Sequence, residues 1–368
     1  MIEHIVKAIE QHPLQSISFS TFMELALYHP TEGYYMKQKQ KIGKGGDFYT
    51  TSSVSPIFGE VLTTVFIELI EKSKVDPIIV ELGGGNGSFA RHIVETWSSE
   101  SSATFQAGYY YIVETSPYHQ TLVKEKVKEY KNVFVVNDFE QIKDMHSNFN
   151  GIIFSNEFFD AFPVDCVRMV NGEIKELRIT FEKELKVLEY PLENKNIKDF
   201  LEEYDVQLSE GQTYEVPLSM CRYIENLGHD VDKAVIFTID YGYRDEEWNL
   251  PYHREGSLRG YYQHQLITDP LKHVGEMDLT THIHLDKLIK AGSKSGLNVY
   301  GVCRQDEFLV KAGILNRLEE HANLNPFSEA SKKNRAIRSL IMQGGISSSF
   351  QVVVQTKNVD AKILTETI

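Results

Sequence analysis

A glycine-rich segment at residues 81–87, ELGGGNG, joins an apolar run to a helical pattern. Glycine lets a chain turn tightly and lets its backbone approach a ligand without a Cβ clash. The first turn of the following helix has N–H groups without partners inside the helix. The segment is therefore a candidate ligand-binding loop, and the residues expected to contact the ligand are Glu81, Gly83, Gly85 and Gly87.

The spacing of these glycines separates two kinds of ligand. A dinucleotide loop has the pattern G-x-G-x-x-G and holds a pyrophosphate at the helix N-terminus. This chain has E-x-G-x-G-x-G instead, the form typical of loops that bind S-adenosylmethionine. Because the sulfonium and amino groups of that nucleoside are cationic, the carboxylate of Glu81 is a suitable partner. The competing interpretation is a tight strand-to-helix turn that binds nothing.

Two acidic residues end the next two apolar runs. Glu114 ends YYIVE, where a carboxylate can accept hydrogen bonds from both ribose hydroxyls. Asp138 ends VFVVND, in position to accept a hydrogen bond from an adenine amino group, and Phe139 beside it can stack on the base. Either acid alone is typical of a solvated strand end, but the pair favours a nucleoside. A nicotinamide cofactor stays open, because Glu114 also suits its ribose.

The segment NEFFD follows the apolar run at 151–155 and is the candidate reaction centre. Methyl transfer from a sulfonium is an in-line displacement that needs alignment and exclusion of water. An arginine acceptor is protonated at neutral pH, since its pKa is above ~12, and carboxylates hold its guanidinium in a fork. Asn156, Glu157 and Asp160 are therefore the candidate catalytic residues, with the two acids on one face if the segment is helical. The alternative is that Asn156 caps a helix and Glu157 lies in its first turn.

An irregular region rich in Tyr, His and Arg extends from residue 241 to residue 281. His282 follows it and is a candidate proton acceptor near pH 7. The alternative is that Thr280 or Thr281 caps a helix and the nearby histidines only pack. We predict no metal site, because Asp278, His282 and His284 imitate ligand spacing without a further cluster to complete it.

The composition limits the partners and the compartment. With 38 basic and 52 acidic residues, the formal net charge is −14 at pH 7, which disfavours nucleic acid and favours a cationic protein. Three widely spaced cysteines indicate reduced thiols. The N-terminus lacks a secretory pattern, and no apolar run approaches the ~20 residues that span a bilayer. The sequence therefore predicts a cytoplasmic protein without membrane insertion.

The elements that position these residues alternate between strand and helix. Short apolar runs predict core strands at 78–82, 109–114, 133–137, 151–155 and 234–240. The alternation favours a parallel sheet with right-handed crossovers. Two further strands are predicted at 297–304 and 350–355.

Two regions lie outside this core. Residues 1–50 begin with a helical pattern and continue as a loop, and residues 164–233 alternate like paired strands around a turn at Asn171-Gly172. The predicted division is an N-terminal helical or cap segment at 1–50, a Rossmann-like core at 51–163 and 234–368, and a β-rich substrate or cap insertion at 164–233.

Longer motifs occur in a characteristic order: YHP, GYY, GDFYT, FGE, ELGGGNG, NEFFDAFPVD, DYGY, LRGY with His264, and GEMDLTTH. On these motifs the chain resembles the MidA family of class I methyltransferases over nearly its whole length. The resemblance implies an α/β, Rossmann-like fold with a seven-stranded, mostly parallel sheet whose last strand is antiparallel. It implies S-adenosyl-L-methionine as the cofactor and S-adenosyl-L-homocysteine as the product.

The same resemblance implies roles and a partner. In the family the GDF segment, here with Asp47, contributes to the cofactor pocket. The family includes the mitochondrial complex I assembly methyltransferase, which dimethylates an arginine of a respiratory-chain subunit. Protein arginine methylation is implied here, with an exposed arginine of a protein, such as a respiratory-complex subunit, as the substrate.

Two other functions stay open. One is a small-molecule or other amino-group N-methyltransferase, in which the NEFF segment would play the role of the Asn-plus-aromatic loop of amino methyltransferases. The other is a catalytically weak assembly factor that binds S-adenosylmethionine and a partner protein, which stays open because Ser52-Ser53 stands where the family has Pro-Glu.

Overall fold

The computed structural model describes residues 1–39, 41, 56–319, 325, 327–342, 344, 346–360, 362 and 364. The chain divides into two compact units. Unit 1 consists of Met1–Phe48, Phe159–Glu225 and Gly242–Ala291, and unit 2 consists of Tyr49–Phe158, Asn226–Tyr241 and Gly292–Ile368. The predicted division into cap segment, core and insertion stays a prediction.

The strands and helices are numbered in chain order. The strands are β1 (Ile17–Ser18), β2 (Ile78–Leu82), β3 (Tyr109–Val113), β4 (Val133–Val136), β5 (Phe149–Asn156), β6 (Asp165–Val170), β7 (Glu173–Phe181), β8 (Leu185–Pro191), β9 (Thr213–Val216), β10 (Val231–Tyr243), β11 (Arg259–Tyr262), β12 (Gln265–Ile267), β13 (Asp278–Thr280), β14 (Ile283–His284), β15 (Asn298–Arg304) and β16 (Phe350–Lys357). The helices are α1 (Ile2–Gln11), α2 (Phe19–Tyr28), α3 (Pro56–Ser73), α4 (Ser88–Glu100), α5 (Ser102–Ala107), α6 (Pro117–Val127), α7 (Glu140–Met145), α8 (Lys195–Glu203), α9 (Leu218–Asp230), α10 (Asp245–Trp248), α11 (Leu285–Lys294), α12 (Gln305–Lys311) and α13 (Glu329–Ile341).

The main sheet of unit 2 has the order β4-β3-β2-β5-β10-β16-β15. The strands from β4 to β10 run parallel, whereas β16 runs antiparallel between β10 and β15. Every residue of β2 is buried, as expected for a parallel strand covered on both faces. The two-residue strand β14 pairs in parallel with Gly242 and Tyr243 at the end of β10, so the sheet has eight strands among the described residues, one more than the seven predicted. The mostly parallel sheet with an antiparallel last strand is confirmed, and each predicted core strand is present.

Aromatic side chains fix helix α3 and the sheet of unit 2 to one another. The ring of Phe66 lies 5.3 Å from that of Phe154 and 5.4 Å from that of Phe237. All three side chains are fully buried. Aromatic burial of this extent contributes strongly to a core. The carboxyl ends of β2 and β5 therefore extend from a rigid base.

Unit 1 holds two smaller antiparallel sheets. One has the order β1-β7-β6-β9, with β8 paired to β7, and the other has the order β12-β11-β13. The predicted hairpin is present, since β6 and β7 are joined at Asn171 (φ 52°) and Gly172 (φ 77°), the left-handed values that a type I′ turn requires. Among the described residues, no helix combines the length and apolarity needed to cross a membrane.

Candidate active site

The glycine loop leaves β2 with a left-handed backbone. Gly83, Gly85 and Gly87 have φ values of 78°, 51° and 74°, which glycine adopts at no steric cost. The N–H of Gly83 donates to the carbonyl of Val113 at 2.9 Å, and the N–H of Gly87 donates to that of Gly84 at 2.9 Å. The three predicted glycines thus form one continuous turn that delivers the chain to α4.

Side chains would not fit in most of this turn. A Cβ added to Gly83 would lie 2.8 Å from the ring of Phe158, and one added to Gly84 would lie 2.2 Å from Ile112 Cγ2. At Gly87 it would lie 2.9 Å from the Cα of Val123. The loop therefore presents backbone, rather than side chains, to its surroundings.

Glu81 lies on β2 directly before the loop and is buried. Its Oε2 accepts a hydrogen bond of 2.7 Å from the Tyr110 hydroxyl. Burial raises the pKa of Glu81 from 4.5 to about 8, a rise that the Tyr110 hydrogen bond opposes and the nearby charge of Glu114 supports. A bound cation would favour the ionised carboxylate, so Glu81 is suited to a positively charged ligand.

Glu114, at the end of β3, is brought to the glycine loop. One carboxylate oxygen accepts the N–H of Gly85 at 2.8 Å, and the other accepts the N–H of Ser116 at 2.8 Å. His119 Nδ1 lies 3.7 Å from the same carboxylate. The side chain is buried. The backbone of the glycine loop thus fixes the orientation of Glu114, the residue predicted to bind the ribose.

Asp138 and Phe139 have structural contacts of their own. The Asp138 carboxylate is exposed and accepts the N–H of Gln141 at 3.1 Å, at the start of α7. The buried ring of Phe139 packs edge-on against Phe149, with the centroids 5.3 Å apart. Their predicted contacts with an adenine stay predictions.

Asn156 and Glu157 are joined at the carboxyl end of β5. The Asn156 amide Nδ2 donates to Glu157 Oε1 at 3.1 Å, while Asn156 Oδ1 is buried without a hydrogen-bond partner among the described residues. Glu157 has a φ of 53°, a left-handed value that is uncommon outside glycine. Strained backbone of this kind concentrates at functional sites, which favours the reaction centre over simple capping.

Asp240, in the second half of β10, was not among the predicted site residues. Its Oδ2 accepts the N–H of Phe158 at 3.2 Å, and its Oδ1 accepts the N–H of Tyr241 at 2.8 Å. The carboxylate is buried and holds the backbone immediately after Glu157. The signal in the sequence was an acid at the end of the apolar run 234–240.

The segment after Glu157 is not a regular helix. A single 3-10 turn covers Phe159–Ala161, so Glu157 lies outside it and the condition for a shared helical face with Asp160 is not met. Asp160 belongs to unit 1, where it is buried and its carbonyl accepts the N–H of Thr281 at 2.9 Å.

Unit 1 also contains a pair between the partly buried Tyr35 and the buried Asp278 that sequence reasoning missed. The Tyr35 hydroxyl donates to Asp278 Oδ1 at 2.6 Å. Burial raises the pKa of Tyr35, and the charges of Asp278 and Asp160 and the neighbouring Tyr28 raise it further. The negative charges of two buried carboxylates therefore both favour the protonated hydroxyl of Tyr35. The sequence signal was the GYY motif, whose partner lies far along the chain.

His282 is largely buried in unit 1 beside Arg259, whose guanidinium contacts the imidazole Nε2. Burial lowers the pKa of His282 from 6.5 to about 3, with further lowering by Arg259 and His253. The imidazole is therefore neutral at pH 7 and a weak base. Its predicted role as proton acceptor stays a prediction. Asp47 and Ser52-Ser53 lie outside the described residues.

Comparisons with known proteins show the family and the fold of the chain. Residues 61–303 match the family of S-adenosyl-L-methionine-dependent methyltransferases, so the chain belongs to that family. A solved structure from Burkholderia thailandensis with S-adenosyl-homocysteine bound has a TM-score of 0.85 and 22% identity, over 97% of this chain and 93% of that one. At that identity the likeness shows the fold, and the predicted fold class is confirmed.

Two curated relatives carry a more specific name. The mitochondrial protein arginine methyltransferase NDUFAF7 homolog of Drosophila melanogaster is 25% identical over 83% of this chain and 73% of its own. The mitochondrial protein arginine methyltransferase NDUFAF7 of Danio rerio is 26% identical over 82% of this chain and 74% of its own. The predicted family, enzyme class and cofactor are confirmed: the chain is an S-adenosylmethionine-dependent methyltransferase.

The residues of unit 2 fit this cofactor. The glycine loop presents backbone rather than side chains, because protein atoms already occupy the places that Cβ atoms at Gly83, Gly84 and Gly87 would take. The buried carboxylate of Glu81 suits a cation. Glu114 is ordered beside the loop. Asn156 Oδ1, which has no hydrogen-bond partner in the described part of the chain, is a further acceptor at the end of the neighbouring strand β5. Glu81 and Glu114 are the residues that would hold the cationic groups and the ribose.

Proposed function

We propose that the enzyme methylates a nitrogen of an arginine side chain in a protein substrate. The names of relatives that match more than four-fifths of the chain support this acceptor. The observation that carries the proposal is the Asn156–Glu157 pair at the end of β5, held in a left-handed turn. A carboxylate fixed in this way is suited to a guanidinium.

The proposed chemistry is a displacement at carbon. When bound, S-adenosylmethionine supplies an electrophilic methyl group on a sulfonium. A bond from nitrogen to the methyl carbon would form as the sulfur keeps the electron pair of its bond to that carbon, which leaves the neutral thioether S-adenosylhomocysteine; the proton released by the substituted guanidinium would pass to water. Glu157 binds the guanidinium and fixes which nitrogen faces the methyl group.

The surrounding residues position Glu157. The Asn156 amide donates to its carboxylate, and Asp240 holds the next backbone N–H, that of Phe158. A rotation of this carboxylate would misalign the acceptor nitrogen, and small misplacements are costly in reactions that depend on orientation. We propose Asn156 and Asp240 as positioning residues and Glu157 as the catalytic residue. Asp160, in unit 1, stays a candidate catalytic residue.

The test is a lysate incubated with the enzyme and labelled S-adenosylmethionine, followed by mass spectrometry of the labelled sites. We expect methylarginine in at least one protein. Replacing Glu157 by Gln keeps the size of the side chain but removes its charge, so methyl transfer falls about 100-fold, as for the loss of a transition-state contact. Calorimetry with S-adenosyl-homocysteine is expected to give an unchanged affinity.

The matched control is Glu140→Gln, which removes an exposed carboxylate from α7 in the same unit. Normal turnover in Glu157→Gln would remove that residue from the mechanism. Label on small molecules alone, or on lysine alone, would refute the arginine assignment. Cofactor binding without transfer to any protein would favour an assembly factor.

We further propose a cytoplasmic location and a respiratory-complex subunit as the substrate. The three free cysteines support a reducing compartment, whereas the curated relatives are mitochondrial by name. Fractionation of cells, with the enzyme followed by immunodetection, tests the location.

The acidic net charge supports a cationic protein partner rather than nucleic acid.

A further inference from the structure

Unit 1 contains a cavity of about 630 Å³ that no step of the proposed reaction uses. This volume falls in the range of roughly 300–1,000 Å³ found for ligand pockets. Part of its wall is apolar and comes from α2, β7, β8 and the loop before β11; the side chains are Phe19, Leu177, Val187, Leu188 and Leu258. Val187 and Leu188 are 40% and 43% exposed, so the cavity has an accessible apolar side.

A buried carboxylate forms another part of this wall. Glu215, on β9, is 1% exposed, and its Oε1 accepts the N–H groups of Ser257 at 2.6 Å and Leu258 at 2.9 Å. Its Oε2 is also buried but has no hydrogen-bond partner among the described residues. Such an oxygen is expensive to leave unpaired. An unpaired carboxylate oxygen in a cavity wall indicates a missing donor.

The remaining charges of the wall favour a cation. Glu189 and Glu255 add two carboxylates, and Arg168 adds one guanidinium. That guanidinium is already engaged: its Nε donates to Thr213 at 2.9 Å, and its terminal nitrogens lie 3.6 Å from Glu189 and 3.9 Å from Glu255. Carboxylates therefore outnumber cations around the cavity.

The electrostatics of Glu215 agree with an incoming donor. Burial raises the pKa of Glu215, while the hydrogen bonds from Leu258 and Ser257 and the charge of Arg259 oppose the rise. A cation placed in the cavity would stabilise the ionised form. A positively charged group near Glu215 would therefore offset the cost of keeping its carboxylate ionised in a buried position.

We propose that this cavity binds a basic side chain of the protein partner, with the aliphatic stem on the apolar wall and the charged end at Glu215. Lysine and arginine combine an apolar stem with a cationic end, which matches both parts of the wall. The choice of a polypeptide rests on the proposed function, whereas the preference for a cation rests on the cavity alone. The cavity would dock the substrate at a second point, separate from the arginine that is methylated.

The test uses the full-length enzyme with ¹³C-labelled leucine and valine methyl groups. The reporters in the cavity are Leu177, Val187, Leu188 and Leu258. The titrants are the tripeptide acetyl-Ala-Arg-Ala-amide and its citrulline analogue, which has nearly the same shape but no charge. We expect the arginine peptide to shift these methyl resonances with an affinity at least tenfold tighter than that of the citrulline peptide.

Variants identify the carboxylate responsible. Glu215→Gln keeps an oxygen for the two backbone N–H groups but replaces the unpaired oxygen by an amide, and we expect it to abolish the preference for arginine. Glu189→Gln, on the surface strand β8, leaves the core intact and is expected to weaken the preference. Glu202→Gln, an exposed change on α8, is the matched control and is expected to change nothing.

Three results would overturn the proposal. They are unshifted cavity resonances, equal affinity for the two peptides, and a preference that survives both Glu215→Gln and Glu189→Gln. If butylguanidinium shifts the resonances and the tripeptide does not, the assignment to a polypeptide is wrong. Methyl transfer is not measured here, so failure of the arginine methyltransferase assignment would leave the methyl shifts intact.

Discussion

Replacing Glu81 by Gln is expected to stabilise the cofactor-free enzyme while weakening its affinity for the cofactor. Glu81 is buried on β2 with the Tyr110 hydroxyl as its partner, and its pKa is raised from 4.5 to about 8. At pH values between 4.5 and about 8, Glu81 therefore keeps its proton in the folded protein but loses it in the unfolded chain. The neutral amide of glutamine removes that difference and can still accept the Tyr110 hydrogen bond.

The magnitude follows from linkage. Between pH 4.5 and about 8, Glu81 lowers the free energy of unfolding by about 1.4 kcal/mol for each unit of rising pH. The accumulated cost is about 3 kcal/mol at pH 7 and about 5 kcal/mol above pH 8. Below pH 4.5 the side chain is protonated in both states and the cost disappears. The advantage of the variant should therefore grow as the pH rises.

Urea denaturation of both proteins from pH 5 to pH 8.5 measures this difference. Calorimetric titration with S-adenosyl-homocysteine, whose amino group keeps its charge, measures the affinity. The loss of a charge-assisted contact of about 1.5–3 kcal/mol predicts an affinity roughly tenfold to 100-fold weaker for Glu81→Gln. Glu140→Gln controls for the removal of a negative charge as such. A stability difference that does not change with pH would refute the reasoning about burial.

Two further predictions concern the loop and the histidines of unit 1. Gly87→Ala and Gly172→Ala both place a side chain at a φ near 75° (74° and 77°), which costs about 1–2 kcal/mol. Only at Gly87 would the new Cβ clash with backbone, because nothing lies within 4 Å of it at Gly172. Gly87→Ala should therefore lose a further ~1–3 kcal/mol in urea unfolding and most of its cofactor affinity in calorimetry; equal losses in the two variants would contradict the packing argument. Burial lowers the pKa values of His282 and His284 to about 3, so their imidazole ¹H shifts should stay constant from pH 8 to pH 5, and a midpoint near 6.5 in either would show that the ring is hydrated.

The strands of unit 2 were predictable because each is an uninterrupted apolar run, a local pattern that burial on both faces imposes. The contact between Glu114 and the glycine loop was predictable for a related reason. Parallel strands end at the same edge of a sheet, so acids that end successive runs come close to the loop that ends the first. Both inferences need only the order of short segments along the chain.

Other features of the site depend on interactions that no local pattern contains. The left-handed backbone of Glu157 contradicts the preference of its residue type, so only the surrounding packing imposes it. The bond between Tyr35 and Asp278 joins residues 243 positions apart. The helical face expected for Glu157 and Asp160 failed because a 3-10 turn starts only at Phe159. The lack of a hydrogen-bond donor to Glu215 Oε2 among the residues that the structure describes depends on the positions of all neighbouring donors, which the sequence does not give.

The position of β16 has a consequence for synthesis on the ribosome. This strand, Phe350–Lys357, lies between β10 and β15, although both are translated before it. A nascent chain that has not yet released residue 350 therefore leaves β10 with an open strand edge, which invites pairing with other chains. Completion of the sheet waits for the translation of β16, so premature termination before β16 leaves this edge of β10 open to aggregation.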